Sequence, residues 1–93
     1  GTNAGLEIKS AAPHIQIERL QLNRLPPEHV CQVQGSMWVA ERDTWDFVSY
    51  CPKLPALIVT VPRDEAKIRD ISAAVDQFNE ELAMMVNWLR KLL

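Results

Sequence analysis

Gly5-Leu6-Glu7-Ile8-Lys9-Ser10 is the stretch on which the reading of this chain turns. It is a short apolar run carrying an acid and a base two residues apart. On a strand, residues i and i+2 point to the same face. Glu7 and Lys9 therefore project together, and Leu6 and Ile8 point the other way, into an expected core. On spacing alone, a solvated face with an exposed ion pair worth about 0–1 kcal/mol accounts for such a common triplet more simply than a metal-dependent nuclease site does. What the rest of the chain sets beside it decides between the two.

Ninety-three residues make one small domain or a piece of a larger one. Ten Lys and Arg stand against twelve Asp and Glu, for a net charge of −2. A general nucleic-acid coat is expected to be basic. That class is excluded, so any DNA contact must be local and partly metal-mediated. No apolar run reaches the length of a membrane span, and the start of the chain has no signal-peptide pattern. Cys31 and Cys51 form no C-x-x-C, which predicts two buried, reduced thiols.

Outward from the first strand, Ala11-Ala12-Pro13 breaks it. In 11–26 the apolar residues Ile15, Ile17, Leu20, Leu22 and Leu25 hold neither strand nor helix period, so a long connection with one helical turn is expected. Its cations Arg19 and Arg24 are candidates to touch phosphate, against the simpler reading of solvated loop charges. Pro26-Pro27-Glu28 starts a helix running to about Arg42. Val30, Val33, Met37 and Ala40 form its inward face. At 100° per residue, Gln34 falls inside that apolar arc and Gln32 nearly opposite. Gln34 is thus a buried amide needing partners, and Gln32 is free for another task.

Thr44–Cys51 (TWDFVSYC) reads as a strand with Trp45, Phe47 and Ser49 on one face. Ala56–Val61 (ALIVTV) reads as a strand covered on both sides, antiparallel to the first. Asp64 caps the last helix. There Ile68, Ile71, Val75, Phe78, Leu82, Met85, Leu89 and Leu92 alternate gaps of three and four without a fault. A helix over 64–92 would be about 43 Å long. It is expected to lie across the sheet, with pairing to another subunit as the alternative.

No phosphate loop, dinucleotide fingerprint, zinc-protease or nucleophile-elbow motif occurs. His14 and His29 stand alone, and no serine has a placed base. Glu7, Lys9 and Gln32 remain. Phosphodiester hydrolysis needs a water nucleophile, a divalent ion and a cation near the developing charge. A carboxylate, a strand carbonyl such as that of Ile8, and a lysine two residues on supply these groups.

In these residues the chain resembles the phage lambda-type exonucleases, or YqaJ-type viral recombinases, of the PD-(D/E)xK nuclease superfamily. The likeness is carried by Gly5-Leu6-Glu7-Ile8-Lys9, by Gln32-Val33-Gln34-Gly35-Ser36-Met37-Trp38-Val39, by Thr44–Pro52 and by Arg63-Asp64-Glu65, in the family's order. The glutamine run is far more specific than E-x-K. The resemblance implies an α/β fold: a small, partial restriction-endonuclease-like core in the order β–α–β–β–α with a long C-terminal helix. Residues 1–93 would form one partial nuclease domain, the C-terminal portion.

It implies Glu7, Lys9 and Gln32 as catalytic residues. Glu7 and the Ile8 carbonyl would be ligands of Mg²⁺ or Mn²⁺. The implied activity is 5′-to-3′ digestion of double-stranded DNA ends in phage recombination. The implied assembly is a homo-oligomer, a trimer in the family, beside a single-strand annealing protein. The implied setting is the cytoplasm of a bacterial host, from a phage or prophage gene. The chain departs from the pattern in having no acid before Glu7, where the family has an essential aspartate, and Ser10-Ala11 after Lys9 in place of Cys-Pro. The 93-residue chain alone is therefore expected to be inactive or nearly so. The competing reading is a non-catalytic interaction or oligomerisation module built on helix 64–92.

Overall fold

The computed structural model describes residues 3–93. Its elements are β1 (Ala4–Ser10), α1 (Pro13–Leu22), α2 (Val30–Ala40), β2 (Thr44–Tyr50), β3 (Leu57–Pro62) and α3 (Glu65–Leu92). A 3-10 turn, Pro27–His29, leads into α2. The strands form one sheet in the order β1-β2-β3, β1 parallel to β2 and β3 antiparallel to it. This is the expected α/β order with one helix added.

That helix is α1, where a loop with a single turn was expected. Pro13 sits at its first turn, where a missing N–H costs nothing. Asn23 ends it in the left-handed region (φ 52°), and its N–H donates to the Arg19 carbonyl. The period was hidden because α1 is amphipathic in reverse. Ile15 and Ile17 are exposed, and the residue it buries is Gln16.

Trp45, Phe47 and Ser49 of β2 share a face with Leu57, Val59 and Val61 of β3. Val33 and Met37 of α2 close over that face and form the core with Phe47 and Val61. Gln16 of α1 reaches the same face, donating to the Ser49 carbonyl at 3.0 Å and the Pro55 carbonyl at 2.8 Å.

Three expectations about faces are corrected. Leu6 and Ile8 are not in a core: they are 61% and 63% exposed. The register Glu7↔Phe47 and Lys9↔Ser49 puts the charged pair on the helix-covered side instead. Likewise β3 is covered on one face only, since Ile58 is 67% exposed. The open face carries Leu6, Ile8, Val48 and Ile58, relieved by an Asp46–Thr60 hydrogen bond of 2.8 Å. Finally, α3 does not lie across the sheet. It packs against α2 through its first turns, where Ile68 is buried, and then projects away. The molecule measures 58 × 30 × 19 Å, with a radius of gyration of 17.9 Å, against about 12 Å for a compact chain of this length. The thiols also differ from expectation: Cys51 is buried, whereas Cys31 is exposed on α2.

Arg63 joins the two ends of the fold. It pairs with Glu65, and its Nη1 donates to the Met37 carbonyl at 3.0 Å and the Arg42 carbonyl at 3.2 Å. A guanidinium therefore sits at the negative end of α2. Asp64 caps α3, accepting from the Lys67 N–H at 3.1 Å.

Gly5 has no side chain because the Trp45 ring lies against it. A Cβ there would overlap Cε3 and Cζ3 of that ring. Gly5→Ala is expected to cost about 1–3 kcal/mol, as overpacking does, and to shift the tryptophan fluorescence. Denaturant titration with fluorescence detection checks this.

Candidate active site

β1 is an edge strand. The Ala11 N–H donates to the Tyr50 carbonyl at 2.9 Å and continues its ladder with β2. Backbone direction alternates along a strand, so odd-numbered residues of β1 pair with β2. The Ile8 carbonyl accordingly turns to the unpaired edge. Glu7, from the same strand, projects over the helix-covered face.

Gln32 comes to meet it from α2. Its Nε2 donates to Glu7 Oε1 at 3.1 Å. The other oxygen, Oε2, is buried with no hydrogen-bond partner. A buried carboxylate oxygen left unpaired is costly and calls for an occupant. Glu7 and Lys9 form no ion pair with each other; among the described residues, the ion pair formed is Arg63–Glu65. The solvated-pair explanation of the triplet therefore loses its central contact. The same residues contain no group of three or more His, Cys, Asp or Glu able to hold a metal.

The two glutamines divide as the helical wheel predicts. Gln34 is buried; its Nε2 donates to the Pro62 carbonyl at 3.0 Å, and its Oε1 accepts from the Asp64 N–H at 2.9 Å. It joins α2 to the β3–α3 junction. Gln32, exposed and two residues away, is held against Glu7 alone.

The two candidate phosphate-contacting arginines separate. Arg24 is exposed beyond the end of α1. Arg19 is half-buried, with Nη1 donating to Ser49 Oγ at 3.0 Å and Nη2 lying 3.3 Å from His29 Nε2. The His29 ring packs on Phe47, centroids 5.1 Å apart. Since Lys9 and Ser49 are register partners, Arg19 belongs to the same face as the E-x-K strand. Gln16 completes this corner, accepting from Ser49 Oγ at 2.6 Å. Sequence reasoning passed over Gln16. The available signal was the polar pair Gln16 and Arg19, three residues apart, on a segment whose apolar residues made no consistent face.

Two crystal structures are similar to this chain in fold, both of LHK-Exo, an alkaline exonuclease from Laribacter hongkongensis. One, a complex with dAMP, is 32% identical with a TM-score of 0.84 over 94% of this chain and 47% of that one. The other is 31% identical with a TM-score of 0.86 over 96% and 48%. The chain shares its fold with part of that alkaline exonuclease. The chain spans just under half the length of these neighbours. No family model matches it, and no curated protein does. No helix among its described residues is long and apolar enough to cross a membrane.

The different roles of the glutamines are measurable. Gln34→Ala leaves a carbonyl and an N–H unpaired and is expected to destabilise the fold by about 1–3 kcal/mol. Gln32→Ala is expected to stay within about 0.5 kcal/mol of the parent. Paired chemical denaturation curves distinguish them.

Proposed function

We propose that this chain is the C-terminal part of a Mg²⁺-dependent exonuclease that degrades double-stranded DNA from its ends in phage recombination. One observation carries the reading: Gln32 holds one oxygen of Glu7 while the other is buried and unpartnered. A surface charge would have both oxygens in water. The similarity to an alkaline exonuclease supports the same reading.

Glu7 Oε2 and the Ile8 carbonyl are hard oxygen donors of the kind Mg²⁺ or Mn²⁺ takes. They fit such an ion in kind, and they fall short in number: among the described residues no group of three or more His, Cys, Asp or Glu gathers to hold one. A bound ion would supply polarisation of the phosphate and a more acidic water. The chain's own residues do the rest. The Gln32 amide fixes the orientation of the Glu7 carboxylate, so no rotamer freedom is lost when a ligand arrives. Lys9, on the same face, brings an ammonium to the attacked phosphate or orients the attacking water. Arg19 is the better placed of the two candidate phosphate contacts, its guanidinium held by Ser49 and His29. Arg24 is an exposed cation suited to a peripheral contact. The reading extends to a homo-oligomer, a trimer in the family, an annealing protein as partner and the cytoplasm of a phage-bearing host. These rest on the resemblance alone.

The rival reading, a non-catalytic module, makes Glu7 and Lys9 inert. Manganese separates the two. Titration with Mn²⁺ is expected to broaden the amide resonances of Glu7, Ile8 and Lys9 selectively, and Glu7→Gln is expected to abolish the effect. Broadening spread evenly over the surface acids would remove the metal site. In a separate assay on linear duplex DNA with Mg²⁺, the 93-residue chain is expected to show little or no digestion. Robust digestion that depends on Glu7 would contradict an incomplete site.

A further inference from the structure

His29 and Gln32 stand about one turn apart at the start of α2, and they come down on neighbouring residues of the sheet. Gln32 donates to Glu7, and the His29 ring packs on Phe47, the register partner of Glu7. Gln32 is exposed, so packing does not choose its rotamer. Val33, Gln34, Met37 and Arg63 all fasten α2 beyond it, toward the C-terminal end of the helix. The turn that carries Gln32 is fastened separately, through His29. This residue is the N-cap of α2, yet its side chain makes no capping hydrogen bond. Its Nε2 lies 3.3 Å from Arg19 Nη2 instead. A guanidinium only donates, so Nε2 is the acceptor and the ring proton sits on Nδ1.

From Arg19 the run of bonds continues into the interior. Nη1 donates to Ser49 Oγ at 3.0 Å, Ser49 Oγ donates to Gln16 Oε1 at 2.6 Å, and Gln16 Nε2 donates to the carbonyls of Ser49 and Pro55. Donor and acceptor alternate without conflict along the run, and Gln16 and Ser49 are fully buried. A connected polar network of this kind is rigid. Arg19 takes no acid as partner: among the described residues the ion pair formed is Arg63–Glu65, and Arg19 Nε is buried without a hydrogen bond. An arginine that served only as a surface charge would stay in water and avoid that cost. We propose that Arg19 is a positioning residue: acting through His29, it fixes the first turn of α2 so that the Gln32 amide stays on Glu7. The value of a fixed Glu7 rests on the nuclease reading; the linkage itself does not. This task is separate from any contact with phosphate and needs no DNA.

Nuclear magnetic resonance of the metal-free 93-residue chain reads the linkage through the side-chain amide signals of its glutamines. Arg19→Met and His29→Leu are expected to carry the Gln32 signals to the free position, which Glu7→Ala defines. The signals of Gln34, held by Pro62 and Asp64, are expected to stay in place. Arg19→Lys keeps the charge but cannot span Ser49 and His29 together, and is expected to behave as Arg19→Met. His29→Gln puts an acceptor where Nε2 stood, and is expected to return Gln32 to its parent position. In a second arm, Mn²⁺ is titrated against Glu7. Arg19→Met and His29→Leu should raise the dissociation constant about tenfold, and His29→Gln should restore it. Failure of the parent chain to bind Mn²⁺ at Glu7 would remove the nuclease reading, and the amide signals would still decide the linkage. Three results would overturn the proposal: Gln32 signals unmoved in the folded Arg19 and His29 variants; Gln32 and Gln34 signals moving together, which is general loosening; or His29→Gln no better than His29→Leu, which would leave ring packing on Phe47 as the only role of His29.

Discussion

Parallel strands cannot be joined by a tight turn, so the chain between β1 and β2 must cross one face of the sheet. Everything distinctive about this molecule follows from that constraint. The register Glu7↔Phe47 and Lys9↔Ser49 fixes which face is crossed, because Phe47 and Ser49 are the residues the crossing covers. α1 and α2 both lie in the crossing, and each brings a glutamine down onto the face: Gln16 to Ser49, and Gln32 to Glu7. The candidate site is thus assembled by the connection itself, with the strand supplying Glu7 and Lys9 and the crossover supplying the glutamine that meets Glu7.

Polar contacts hold the crossing in register where apolar area is scarce. The core proper is small: Val33, Met37, Phe47 and Val61 with partly buried neighbours. Around it, Gln34 joins α2 to the β3–α3 junction, and Arg63 binds the carbonyls at the end of α2. Hydrogen bonds of this kind add about 1 kcal/mol each when made and cost more when half-broken. They are directional as well. That is how an 11-residue helix can present Gln32 to one partner and Gln34 to another without slipping.

Much of this was legible in the residues, and the failures share a cause. Periodicity found α2, β2, β3 and α3, and the helical wheel separated Gln32 from Gln34 correctly. Strand parity also grouped Glu7 with Lys9 correctly. What parity cannot say is which group faces inward. The assumption that Leu6 and Ile8 are the buried pair inverted the strand. Here the polar group faces the helices because that face is the candidate site, and the apolar pair is left bare. α1 was missed for the same reason: its buried residue is Gln16 and its isoleucines are outside. The extent of α3 was readable from its seam, but its lack of cover was not, because coverage depends on the length of α2. In each case hydrophobicity was read as burial, and in a chain with this much uncovered apolar surface the two part company.

The alternation along β1 also shapes how the sequence is free to change. Its even positions, Leu6 and Ile8, look onto the open face, and its odd positions, Gly5, Glu7 and Lys9, look onto Trp45, Gln32 and the crossover helices. Under the proposed nuclease reading, selection for chemistry and selection for surface character act on alternate residues of one short segment. Drift at the even positions is expected to follow whatever solvent or protein lies over the sheet, leaving the chemistry untouched. The odd positions should tolerate almost nothing. Lineages of this fold would then diverge in a two-residue rhythm, with invariance and drift interleaved along the same strand.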